Sequence, residues 1–131
     1  HTKSNNIAMT IVLKPQANIK QLEGFTVSIA EHIKNVVKKL YNINLEVKLP
    51  NDLLLNNKKI CGILTEVITV QENIKELFIG IGFNVNEDEF SNDILNRATS
   101  LYNETKQRYC REDIICEIIE NIEKELDTRI F

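Results

Sequence analysis

The sequence predicts an α+β domain in which an antiparallel or mixed β-sheet is covered by helices. Three observations carry this expectation. Short apolar runs rich in β-branched residues alternate with Asn, Pro and polar breaks from Ile7 to Val85. One longer stretch, Ile19 to Leu40, repeats its apolar residues at helical steps. Beyond Asn86 the strand period gives way to helical spacing for the rest of the chain. With 131 residues the chain has the length of one ordinary domain, and a domain of that size buries about 68% of the surface its unfolded form exposes. A core can therefore form without disulfides.

Ile7 to Leu13 (IAMTIVL) is a buried strand closed by Pro15. Asn18 caps a helix whose face is Leu22, Phe25, Ile29, Ile33, Val36, Val37 and Leu40, with Gly24 marking a close approach or a frayed first turn. After the Asn42 to Asn44 turn, Leu45, Val47 and Leu49 alternate with Glu46 and Lys48 as a half-buried strand, ended by Pro50. Leu53 to Leu55 and Lys58 to Val70 form a hairpin across Asn56-Asn57, since Asn tolerates the positive φ of a tight turn. Leu77 to Val85 returns through the polar stretch Gln71 to Glu76, making four or five antiparallel strands. A polar linker, Glu87 to Asn92, leads to helices over Asp93 to Thr105 and Ile114 to Leu126. Glu112 and Asp113 place negative charge where the second of these starts.

Composition narrows the function classes. The chain is 43% hydrophobic and 27% charged, with net charge −3 and pI near 5.5, so neither disorder nor a strongly basic nucleic-acid surface is expected. No apolar run approaches the roughly 20 residues that span a bilayer. Cys61, Cys110 and Cys116 match neither a CxxC motif nor a Cys/His zinc pattern. They are expected to be buried free thiols of a reducing, cytoplasmic compartment. The chain starts without Met or a secretory leader, as an internal piece of a longer protein would.

Chemistry is concentrated between Lys48 and Glu66 and again from Gly80 to Asn86. Lys48-Leu49-Pro50-Asn51-Asp52 gathers a cation, an amide and a carboxylate at a corner stiffened by Pro50, either to orient a ligand or as a plain surface turn. Lys58 and Lys59 open a strand, and strand alternation sends one of them to the opposite side from the other. Gly62 lets a ligand or another backbone approach that strand. Gly80-Ile81-Gly82 completes no GxGxxG and is a poor dinucleotide signal. Such a strand, ending in Asn84 and Asn86, can still set amides beside phosphate oxygens.

Lys48 to Asp52, Lys59, Gly62 to Leu64 with Glu66, and Gly80 to Asn86 together resemble the signatures of biotin–protein ligases: KWPND, a lysine after it, a GIL.E strand and a GIGINVN strand. Order and spacing both fit. The similarity extends to Thr10 to Pro15 and to Ala98-Thr99-Ser100-Leu101, and so covers nearly the whole chain. The resemblance implies a class II synthetase-like biotin/lipoate ligase catalytic domain, with residues 1–131 as its C-terminal portion. It implies activation of biotin by ATP with Mg²⁺ as biotinyl-5'-AMP, then transfer to a lysine of a biotin carboxyl carrier protein. By carry-over, Lys59 contacts the biotin carboxylate and stabilises developing charge, while Gly62, Ile63 and Leu64 line the biotin pocket. Asp52 orients or deprotonates the incoming lysine; Lys48, Asn51 and Asn84 serve the nucleotide, and Asn84 also Mg²⁺. The resemblance further implies no membrane or nucleic-acid partner for this segment and leaves a homodimer open.

The chain departs from the family pattern twice. Leu49 stands where the family usually has Trp, which removes an aromatic packing element and no polar group. The family's GRGRxGRxW loop is not among these residues, and His1 to Thr10 resembles the family's segment just after that loop's Trp. A lipoate or octanoate ligase is the neighbouring reading. A non-catalytic fragment that binds without turnover is the other.

Overall fold

The computed structural model describes residues 5–130, so the first four residues of the His1 to Thr10 match lie outside the described residues. Five strands, β1 (Ile7–Leu13), β2 (Glu46–Lys48), β3 (Asp52–Leu55), β4 (Lys58–Val70) and β5 (Asn73–Phe83), form one antiparallel sheet in the order β1-β5-β4-β3-β2. The expected α+β class is observed. Helix α1 (Phe25–Tyr41) packs on β2, β3, β4 and on α3 (Arg111–Ile130), while α2 (Leu101–Thr105) is a short turn of helix.

Alternation along the strands divides the sheet into two unlike faces. Ile7, Ile63, Leu77, Ile79, Ile81 and Phe83 point to the helices and join Phe25, Ile29, Ile33 and Val37 of α1 and Ile114, Ile118 and Ile122 of α3 in one buried core. The residues between them, Ala8, Thr10 and Val12 on β1, Leu64, Glu66 and Ile68 on β4 and Gly82 on β5, are exposed among the described residues.

Several expected boundaries move. The helix expected from Ile19 to Leu40 is two elements: a 3-10 turn, Ile19–Leu22, capped by Asn18 and Gln21 in a capping box, and then α1. Gly24 separates them at φ +74°, a left-handed conformation that no α-helix interior accepts. The turn expected over Gln71 to Glu76 contracts to Gln71 and Glu72, both at positive φ. Its tip is held from outside, because the Ile19 N–H donates to the Glu72 carbonyl (2.8 Å) and the Ile74 N–H to that of Ala17 (2.9 Å). Asn56 and Asn57 adopt the expected left-handed turn.

The helix expected over Asp93 to Thr105 begins only at Leu101, behind the Ser100 cap. Tertiary pairing overrides the helical period there. The Lys59 N–H donates to the Arg97 carbonyl (2.7 Å) and the Thr99 N–H to the Lys59 carbonyl (2.9 Å), drawing Arg97 to Thr99 alongside β4 as a parallel bridge. The cysteine expectation is also corrected: Cys61 is buried, whereas Cys110 and Cys116 are exposed, Cys116 on the side of α3 that does not face the core.

Candidate active site

A β-bulge aims the central lysine. Leu53 pairs with Cys61 but Leu54 pairs with Lys59, so Ile60 is an extra residue in β4. Ile60 and Cys61 are consequently both buried, and Lys59 and Gly62, three residues apart, come to the same open face. Lys59 Nζ lies 3.3 Å from Asp52 Oδ1. A Cβ built on Gly62 would stand 3.2 Å from the same amine, so the Lys59 side chain folds back directly above that glycine. Lys58 is paired with the buried Leu55 and so stands on the opposite face from Lys59, as strand alternation expects.

Three glycines floor the space beside this pair. Gly62 is opposite Gly82, and Leu64 is opposite Gly80, on adjoining strands. A cavity of about 290 Å³ is lined by Asn51, Asp52, Lys59, Gly62, Leu64, Gly80 and Gly82. Nothing stands within 4 Å of the place where a Gly82 side chain would begin, so that glycine leaves room rather than relieves backbone strain. Ile63 takes part through its main chain, since its side chain is 2% exposed on the helix side and its N–H donates to the Asn51 carbonyl (2.9 Å).

A second cavity, about 510 Å³, meets the first at Asp52 and Lys59 and is bounded by Lys48, Asn57, Ile94, Asn96, Arg97 and Ala98. Its cations Lys48, Lys59 and Arg97 suit an anion such as a phosphate chain. Arg97 is not legible from the sequence, because it reaches the site only through the strand-like pairing that replaces the expected helix. Asn84 lies just past the end of β5, with its N–H on the Ile60 carbonyl (2.8 Å) and its side-chain amide on the Thr99 carbonyl (3.0 Å).

Two kinds of chemistry find little support. Burial, opposed by Lys59, pushes the Cys61 thiol up to about 12, which leaves it protonated and poorly nucleophilic. Among the described residues no three His, Cys, Asp or Glu side chains gather as a metal site. Asn84 donates its amide N–H to the Thr99 carbonyl, so the atom it could offer Mg²⁺ is its amide oxygen, one ligand of the several that such an ion takes. What the arrangement offers is a positively charged junction between two cavities, with a carboxylate beside it.

The pattern of the Biotin/lipoate A/B protein ligase family matches residues 1–84. The chain belongs to that family. Two bifunctional ligase/repressors BirA, from Bacillus spizizenii and Bacillus subtilis, are 32% and 30% identical over 124 residues, 93% of this chain and 38% of each relative. Among solved structures, apo biotin protein ligase from Aquifex aeolicus superposes with TM-score 0.81 at 25% identity, covering 96% of this chain and 54% of that one. The same enzyme in complex with biotin and ATP gives 0.79, again at 25% identity and covering 96% of this chain and 52% of that one. LipL1 of P. falciparum, in complex with lipoate, shares the fold with TM-score 0.63 at 17% identity, over 95% of this chain and 35% of its own. The chain thus spans under half of the BirA relatives and about half of the Aquifex enzyme, a span consistent with part of a biotin–protein ligase catalytic domain. No helix among the described residues is long and apolar enough to cross a membrane.

Proposed function

We propose that these residues are the C-terminal portion of a catalytic domain that activates biotin with ATP as biotinyl-5'-AMP and transfers it to a lysine of a biotin carboxyl carrier protein. The observation that carries this reading is Lys59, held by Asp52 at the junction of the glycine-floored cavity and the basic one. The first suits a slender acid lying across Gly62, Gly80 and Gly82, the second a nucleotide phosphate chain. A carboxylate oxygen attacks the α-phosphorus, the bond to pyrophosphate breaks, and Lys59 neutralises charge where the two anions meet. In the second step the acceptor amine attacks the acyl carbon, AMP leaves, and Asp52 orients the amine or takes its proton. Lys48 and Asn51 support that corner, Arg97 belongs to the nucleotide side, and Asn84, which lines neither cavity, serves that side from behind through Thr99. Mg²⁺ would enter on the ATP phosphates rather than in a protein cage.

The proposed setting is the cytoplasm, with no nucleic acid bound by this segment and with homodimerisation through a sheet edge left to sedimentation. Biotin is favoured over lipoate because the KxPND and GIL residues match the biotin–protein ligase pattern. Calorimetry with biotin, a biotinyl-adenylate analogue and lipoate tests the choice. Selective binding of the biotin compounds is expected. Equal binding of lipoate overturns the assignment of the acid, and a folded chain that binds none of them shows that these residues do not build the acid site by themselves.

A further inference from the structure

Glu104 lies outside both cavities, yet its carboxylate spans the two segments that flank Lys59. One oxygen accepts from Asn56 in the β3–β4 turn, just before Lys58 and Lys59; the other accepts from the Thr99 hydroxyl. Thr99 is 1% exposed and acts as a node. Its N–H holds the Lys59 carbonyl, its own carbonyl accepts the Asn84 side-chain amide, and its hydroxyl is oriented by Glu104. One surface carboxylate therefore governs a buried threonine bonded to both Lys59 and Asn84.

We propose that Glu104 is a positioning residue which, through Thr99, sets the backbone of Lys59 and the side chain of Asn84 in register for the acid and the nucleotide. The inference rests on the proposed function, in which Lys59 and Asn84 belong to one site. Without Glu104, the parallel bridge from Arg97 to Thr99 keeps its two backbone hydrogen bonds but loses the side-chain tie that joins it to the hairpin turn. The bridge then opens more often in local fluctuations while the core stays closed.

Amide hydrogen exchange and calorimetry on Glu104→Ala, Glu104→Gln, Thr99→Val and Thr99→Ser test it, with ATP and biotin as probes. Glu104→Ala is expected to speed exchange at the Lys59 and Thr99 amides up to about fivefold, the scale of one partly solvated charged hydrogen bond, with the Ile79 and Ile81 amides unchanged. ATP affinity should fall by a similar factor. Thr99→Val should reproduce this pattern, whereas Thr99→Ser and, in part, Glu104→Gln should restore it. Unchanged exchange at Lys59, or acceleration spread equally through the β5 amides, overturns the positioning role. Should the unaltered chain bind neither probe, these residues do not build the site by themselves, and the exchange pattern still decides whether Glu104 positions Lys59.

Discussion

Along β5, Leu77, Ile79, Ile81 and Phe83 face the helices and are all but inaccessible, while Phe78, Gly80 and Gly82 alternate with them on the open side. The covered set supplies volume and the open set largely withholds it. Strand β4 repeats the contrast, with Cys61 and Ile63 inside against Lys59, Gly62 and Leu64 outside. Stability comes from the face where side chains interlock against α1 and α3. The face where side chains shrink to hydrogen is left free for a ligand, and the bulge at Ile60 brings the Lys59 cation onto it.

The largest test of this division is a pair of truncations. Phe83→Ala should cost about 3–5 kcal/mol, because a buried aromatic leaves both lost transfer energy and a cavity. Leu64→Ala, at a residue 58% exposed, should stay within about 0.5 kcal/mol. Urea unfolding monitored by circular dichroism measures both, and equal losses would erase the distinction between the faces. Next in size, Lys59→Ala should weaken biotin or ATP binding by at least about tenfold, since it removes a charge-assisted partner. Lys58→Ala should leave binding nearly unchanged. Equal losses would reverse the assignment of which lysine enters the site.

The glycines sharpen the comparison because fold and ligand should respond in opposite directions. Space is open at Gly82 and its backbone is not left-handed, so Gly82→Ala should raise stability by about 0.4–1 kcal/mol through the unfolded chain. The same methyl intrudes on the glycine-floored cavity and should weaken biotin binding. A substitution that stabilised the fold and left binding intact would remove Gly82 from the pocket.

Much of this division can be read in the chain itself. Alternation in Leu45 to Lys48 and in Leu77 to Phe83, and the helical period of Phe25 to Leu40, reflect burial that each residue experiences locally. The Asn56-Asn57 turn is legible for the same reason, since Asn supplies its own left-handed conformation. Features set by distant partners are not. The Gln71-Glu72 turn depends on chain from Ala17 to Ile19, and the lost helix at Asp93 depends on Lys59 pairing with Arg97 and Thr99. At the site, Lys59, Asp52 and Gly62 do converge. Alternation by itself would put Lys59 and Gly62 on opposite faces, and only the bulge, invisible to periodicity, joins them. Arg97 and Glu104 leave no local signal because both act through that same long-range pairing.

The smallest effect should appear in acid, at the edge between the two faces. Burial alone would raise the Glu104 carboxyl, but hydrogen bonds from Thr99 and Asn56 and the charges of Lys58 and Lys106 outweigh it and hold the group below its ordinary value of 4.5. The folded state therefore favours the carboxylate more than the unfolded chain does. Its stabilising contribution is full above the unfolded value and is lost as pH falls through the lower folded one. Because Glu104 is only partly buried, the contribution should not exceed about 0.2–1 kcal/mol. Unfolding of the unaltered chain and of Glu104→Ala should differ by that amount at pH 7 and converge once the pH has fallen below the folded value. A difference that persisted in acid would mean that Glu104 acts by packing, and its link to Thr99 and Lys59 would lose its electrostatic basis.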